Sequence, residues 1–446
     1  MNHAYSDPFK MPEPAMDQAA MQRLKLEVHR RLLDTMDLIE AQRMPIDELH
    51  RECSRRADLL LSEQRYPLSA PERQRILREV MDEIFGLGPI EELLSDRSIS
   101  DILVNNPRQV YIEREGRLER TNICFRDNDH LLQVIQRIAN RVGRRIDESS
   151  PMLDARLIDG SRVNAIIPPL ALRGPALSIR RFGTIPLDVD RLIELGTMTQ
   201  EMVLFLEACV RARMNILISG GTGSGKTTLL NVLSAWIPDS ERVITIEDAA
   251  ELQLQREHVV QLETRPPNIE GKGEVTQREL LRNCLRMRPD RIIIGEVRGA
   301  EALDMLQAMN TGHEGSMTTL HANNPRDAIR RLENMTCMAG LNFPVHVIRE
   351  QIASALNLVI HLDRVTGGRR KIISITELTG TEGDAICMQD IFIYRQLNVD
   401  AQGHAVGQFE ATGVRPQLLP HILAEGIDVP DNLFHRRVLP AGPAAK

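Results

Sequence analysis

Eight residues, Gly220-Gly221-Thr222-Gly223-Ser224-Gly225-Lys226-Thr227, constrain this chain more than any other stretch. They fit G-x-x-x-x-G-K-[ST], a pattern that carries meaning only between a buried strand and a helix. Both flanks are present. Ile216, Leu217 and Ile218 form a short apolar run of the kind that makes a buried parallel strand. Leu229, Leu230, Val232, Leu233 and Trp236 follow at helical spacing, and Pro238 ends the helix. Glycine lets consecutive backbone amides curl around a pyrophosphate, at a helix N-terminus that already favours an anion. Lys226 offers a point charge to the β- and γ-phosphates, and the Thr227 hydroxyl, with Thr228 beside it, offers a hard oxygen to Mg²⁺. The chain is expected to bind a nucleoside triphosphate.

Composition bounds what else it can be. A chain of 446 residues should hold about two or three domains. A net charge of −7 argues against general nucleic-acid affinity. The six cysteines stand singly, without a C-x-x-C, and fit reduced thiols better than disulfides or a metal knuckle. No apolar run approaches the length of a membrane span, and the first residues lack the apolar core of a secretion signal. The expectation is a soluble, cytoplasmic protein whose membrane contact runs through partners.

Periodicity divides the chain. Residues 1–18 read as a disordered tail, and 19–95 as a helical N-terminal region. Leu24, Val28, Leu32, Met36 and Ile39 mark a first helix, residues 46–65 a second, and Ser69-Ala70-Pro71-Glu72 caps a third. This region is either a docking appendage or a lid on its neighbour. Residues 96–182 read as a small α+β domain, with strands at 102–104, 109–113, 117–121, 162–167 and 176–181, a turn at Glu115-Gly116 and an amphipathic helix over 130–144. It holds no nucleophile and base of its own but is rich in arginine, including Arg162, Arg180 and Arg181. Guanidinium suits a phosphate charge that grows during transfer. Residues 183–199 read as a linker, 200–430 as an α/β domain built on the phosphate-binding loop, and 431–446 as a flexible tail. The whole segment 404–446 is Pro-rich and expected to be weakly structured.

Within the α/β domain two further strands end in acids. Residues 242–246 lead to Glu247, Asp248 and Glu251, where a parallel sheet binds its ligand, or else an exposed acidic turn. Residues 291–294 lead to Gly295 and Glu296. Many nucleotide hydrolases carry aspartate at the first of these positions, so Glu296 must serve alone or with Glu247. A fourth strand at 316–323 carries His321 toward its end, at the same edge of the sheet as the phosphate loop. Strands at 358–362, 371–377 and 387–394 extend the sheet.

Four stretches thus stand in order: GGTGSGKT (220–227), TIEDAAEL (245–252), RIIIGEVRG (291–299) and TTLHANNP (318–325). Together they resemble the Walker A, Asp box, Walker B and His box of the type II/type IV secretion ATPases, over about residues 100–395. The segments 100–105, 389–392 and 409–416 resemble the CpaF/TadA branch, which powers tight-adherence (Flp-type) pili. The resemblance implies a RecA-like ATPase domain behind a small α+β domain, and ATP with Mg²⁺ at Lys226 and Thr227. It makes Glu247 and Glu296 the organisers of metal and water, and His321 a sensor of the γ-phosphate. Arg162 or Arg180 would reach a nucleotide. It further implies a ring of six copies at the inner membrane, acting on polytopic platform proteins. The four-cysteine zinc insert usual in type II secretion and pilus-extension ATPases has no counterpart here, which shifts weight to the tight-adherence and type IV secretion branches. Two other classes compete: a nucleic-acid motor on the same core, opposed by the acidic charge and few aromatics, and a regulator that binds ATP without turning it over.

Overall fold

A computed structural model describes residues 18–36, 44–62, 68–114, 117–181, 187–254, 256–267, 272–340 and 343–440. The expected tail before residue 18, the turn at Glu115-Gly116, the start of the linker and residues 441–446 lie outside them. The chain forms two compact units that divide between Phe182 and Gly183. Among the described residues no helix is long and apolar enough to cross a membrane.

Among the described residues the first unit opens with three helices, α1 (Gln18–Asp34), α2 (Ile46–Ser62) and α3 (Ala70–Ile84). Their apolar stripes meet in a core of Leu24, Val28, Leu32, Ala57, Leu61, Ile76 and Val80. Ser69 and Glu72 close the capping box at α3. A short α4 (Glu91–Ser95) leads to an antiparallel sheet of β1 (Ile99–Asn106), β2 (Gln109–Arg114), β3 (Arg117–Arg120), β4 (Met152–Arg156), β5 (Arg162–Ile166) and β6 (Ala176–Arg180), in the order β3-β2-β1-β6-β5-β4. Strand β4, which carries two charges in five residues, is an addition to the sequence reading. Helix α5 (Asn128–Arg141) covers one face, packing Leu131, Val134, Ile135 and Ile138 on Ile102, Val110, Val163 and Ile179. The other face carries Arg156, Arg162, Arg180, Asp101 and Glu113 as successive cross-strand partners.

The helical region and the small domain meet over a partly buried carboxylate. Glu83, at the end of α3, lies 2.8 Å from His130 Nε2 and 3.3 Å from Lys25 Nζ. Arg137 donates to the carbonyls of Glu83 and Gly86. Burial pushes the Glu83 carboxyl up, but the bond to His130 and the nearby charges outweigh it and hold it down at about 2.

The second unit contains α6 (Val189–Glu194), α7 (Gln200–Arg211), β7 (Ile216–Gly220), α8 (Lys226–Ser234), β8 (Val243–Glu247), β9 (Val259–Glu263), α9 (Gln277–Cys284), β10 (Arg291–Ile294), α10 (Glu301–Asn310), β11 (Met317–His321), α11 (Pro325–Cys337), α12 (Val345–Ala355), β12 (Leu358–Arg364), β13 (Arg370–Glu382), β14 (Ala385–Val399), β15 (Ala405–Ala411), α13 (Leu419–Ala424) and β16 (Arg437–Leu439). They build one ten-stranded sheet, β16-β15-β14-β13-β12-β7-β11-β10-β8-β9. The strands from β12 to β9 are parallel; β13 to β16 continue antiparallel. With the phosphate loop on central β7, this is the RecA-like α/β fold. Helices cover both faces, so apolar residues from one strand enter both cores: Ile216 and Ile218 join the core beneath α7 and α8, while Leu217 joins the one beneath α9 to α12.

The segment 404–440 corrects the expectation of a weakly structured tail, including 431–440 within it. Strand β15, helix α13 and strand β16 belong to the sheet and its core, with Phe409, Leu419, Ile422, Phe434 and Leu439 buried. Phe434 stacks edge-on against Phe205 with centroids 5.5 Å apart. The buried Glu377 carboxylate accepts the backbone N–H of Gln417 (3.0 Å) and Leu418 (2.7 Å), fixing where this segment returns.

Candidate functional site

Every residue of β7 is buried, and the chain leaves it at Gly220. A Cβ there would stand 2.2 Å from the Leu362 carbonyl oxygen and 2.6 Å from Ser224 Oγ, so only glycine fits. Gly221 and Thr222 lie exposed at the mouth of the loop, with Gly223 and the buried Ser224 following. Gly225, at φ 99°, makes the left-handed step that starts α8. Lys226, Thr227 and Thr228 form its first turn.

Lys226 is 7% exposed. Its ammonium donates to the carbonyls of Gly220 (3.2 Å) and Gly221 (2.9 Å) and stands 3.4 Å from His321 Nε2. His321 ends β11 in register with Gly220, and its Nε2 lies 3.2 Å from Glu296 Oε1. Glu296 Oε2 accepts from Arg298 Nη2 at 2.8 Å, and Arg298 Nη1 lies 3.5 Å from Asp248 Oδ2. A continuous polar chain, Lys226–His321–Glu296–Arg298–Asp248, thus crosses the C-terminal edge of β7, β11, β10 and β8, where parallel sheets bind ligands.

The electrostatics follow from this packing. Burial raises the Glu296 carboxyl, but the Arg298 hydrogen bond and the charges of Arg298, His321 and Lys226 bring it below the ordinary carboxylate range. Burial and the adjacent Lys226 lower His321, against the pull of Glu296, so the imidazole is neutral near pH 7.

Glu247, the last residue of β8, is 3% exposed. Its Oε2 accepts two backbone N–H groups, from Glu251 (2.7 Å) and Leu252 (2.9 Å), so one oxygen already caps the turn after the strand. This also accounts for Gly295: a Cβ there would stand 2.9 Å from Glu247 Cγ, leaving no room for aspartate. Arg162 and Arg180 belong to the other compact unit, where they face each other across β5 and β6. Arg180 is exposed, whereas the Arg181 guanidinium donates to the Asp96 carbonyl.

Three residues escaped the sequence reading. Arg298 had a signal, two positions beyond the strand acid. Arg370, whose Nε donates to the Gly223 carbonyl at 2.8 Å, and His361, 2.9 Å from Ser219 Oγ, are far from the loop in sequence and had none.

The family model for type II/IV secretion system proteins matches residues 83–392, more than half of the chain. The chain belongs to the type II/IV secretion ATPase family. Its relatives include a Mycobacterium tuberculosis protein provisionally named for conjugal transfer, 39% identical over 313 residues, covering 69% of this chain and 88% of that one. The type IV secretion system protein PtlH of Bordetella pertussis is 34% identical over 336 residues, covering 69% and 96%. Among solved structures, the VirB11 ATPase of the Brucella suis type IV secretion system, in complex with sulphate, is 30% identical with a TM-score of 0.35, covering 66% of this chain and 97% of that one. The family model spans the small α+β domain and the phosphate-loop domain as far as β14, and leaves α1, α2, nearly all of α3 and the segment from β15 to β16 outside.

Proposed function

We propose that this secretion ATPase hydrolyses ATP at the Lys226–His321–Glu296 edge and uses the energy to assemble a tight-adherence (Flp-type) pilus. The observation that carries the reading is the convergence of the Lys226, His321 and Glu296 side chains beside a glycine loop at one sheet edge. The loop amides and Lys226 hold the β- and γ-phosphates, which requires Lys226 to exchange its two loop carbonyls for phosphate oxygens. Glu296, kept ionised, orients the attacking water. His321, neutral and adjacent to Lys226, contacts the γ-phosphate. Glu247 supports the Glu296 side of the site through the turn it caps. The Thr227 hydroxyl and the two carboxylates are hard oxygen donors, the kind Mg²⁺ takes together with substrate phosphates. The ion supplies charge neutralisation for the transferring phosphoryl group.

An arginine from the small domain, Arg180 first and Arg162 second, answers the charge that grows on the γ-phosphate. The ring of six copies, the cytoplasmic face of the inner membrane and polytopic platform partners complete the reading. Deleting the gene in its native cell and restoring it with the wild-type or Lys226→Ala form tests it. Surface pili return only with the wild type. Pili that assemble without the protein, with loss of an exported protein instead, favour the second reading, a type IV secretion motor, which the similarity to PtlH supports.

A further inference from the structure

We propose that His361 is a positioning residue for nucleotide hydrolysis, tying the base of the phosphate loop to the segment that carries His321. His361 lies on β12, beside β7, and is 3% exposed. Its parallel register partner is Ser219, the residue immediately before Gly220, and its Nδ1 stands 2.9 Å from Ser219 Oγ. The ring also lies near the backbone of Asn323, two residues beyond His321. One imidazole is therefore bonded to the strand that enters the phosphate loop and adjacent to the segment that follows His321, and Lys226 and His321 approach to 3.4 Å in the site. The next residue, Leu362, presses its carbonyl against Gly220 so closely that no Cβ would fit, so β12 buttresses the loop at this point.

A leucine or valine would fill this buried place without the desolvation cost of an imidazole. The ring's charge state suits the task. Burial lowers its pKa, with Lys226 in the same direction and Asp363 and the Asn323 backbone opposed, so a neutral ring accepts and donates at once. Nucleotide binding depends on the loop amides, whereas hydrolysis depends on the spacing of Lys226, His321 and Glu296. An error of about 1 Å in such a spacing costs on the order of a hundredfold in rate.

The inference rests on the proposed roles of Lys226 and His321. Its test measures kcat and the affinity for a fluorescent ATP analogue on full-length protein, in wild-type and His321→Ala backgrounds. His361→Leu should lower kcat at least about tenfold while affinity changes less than about threefold. In the His321→Ala background it should add less than about twofold, because the group it positions is gone. His361→Asn, which keeps a polar atom toward Ser219, should recover much of the rate. Ser219→Ala should lower kcat less, in the same direction, and add nothing to His361→Leu. Should His361→Leu fail to fold, Ser219→Ala decides alone, and an unchanged kcat overturns the proposal. Losses that multiply with His321→Ala, or a fall in affinity matching the fall in rate, also overturn it and leave His361 as core packing. A wild-type protein that binds the analogue without turning over ATP sinks the underlying reading of the site instead.

Discussion

The two sheets of this molecule carry their polar residues in opposite places. In the second unit, strands β7, β8 and β10 are buried along their whole length, with helices on both faces. Most side chains on such faces are apolar, and the groups proposed for the reaction gather where the strands end: Gly220, Glu247, Glu296 and His321. In the first unit the sheet is antiparallel, one face lies under α5, and β5 and β6 alternate buried with open positions. Its charge accordingly spreads across a face, with Arg156, Arg162 and Arg180 side by side. A sheet edge concentrates groups within hydrogen-bond reach of one point and can build a reaction site. A sheet face presents charge to whatever comes against it and needs a partner to give that charge a target. The proposed reaction uses the edge, and in that proposal an arginine of the face responds to it.

The sharpest way to break that division is Lys226→Ala, at the edge. ATP turnover should fall by about a thousandfold or more, with the folded content by circular dichroism unchanged. Retention of a tenth of the wild-type rate contradicts the assignment. On the face, Arg180→Ala should lower turnover more than about tenfold with nucleotide affinity preserved, whereas Arg181→Ala, whose guanidinium serves Asp96, should do less. Equal losses from both, or none from either, remove the arginine from the mechanism and leave Arg162. If the arginine acts across subunits, mixing Arg180→Ala with Lys226→Ala protein should restore part of the activity.

Arg298→Ala sharpens the edge itself. The Arg298 guanidinium lowers the Glu296 carboxyl, so its loss should move the acid limb of the kcat–pH profile to higher pH. An unmoved limb separates Glu296 ionisation from the rate. The smallest effect on turnover is expected at the base of the first unit. Glu83→Gln should cost about 3 kcal/mol in the stability of that unit, because it leaves His130 and Lys25 without their partly buried counter-charge. Glu83 has its folded pKa depressed to about 2, so its contribution is present above the usual carboxylate range near 4.5 and lost as pH falls toward 2. Thermal melts at pH 7 and pH 3 check both statements: the difference between wild type and variant should narrow at the lower pH.

The phosphate loop, the strands beneath it and the acids at their ends were legible because each is local: a motif, an apolar run, a residue next in line. The reading failed where tertiary contact decides. Segment 404–440 looked unstructured because Phe409, Leu419, Ile422 and Phe434 are separated by turns and prolines, and pairing with β14 together with contacts to Glu377 and Phe205, distant in sequence, brings them to order. Strand β9 hid because Gln261 and Glu263 break its apolar pattern at the sheet margin. Helices α10, α11 and α12, between strands that were recognised, were not drawn at all. Gly295 read as a departure from the expected acid, whereas it is the space that Glu247 occupies.

In the proposed reaction the edge of the second unit hydrolyses ATP through an ionised Glu296. Parallel measurement of nucleotide affinity and single-turnover hydrolysis for Glu296→Gln tests it most directly. The change keeps the side chain's shape and removes its charge. ATP should bind within about threefold of wild type while hydrolysis slows at least about a hundredfold. Hydrolysis at the wild-type rate with binding intact contradicts the account.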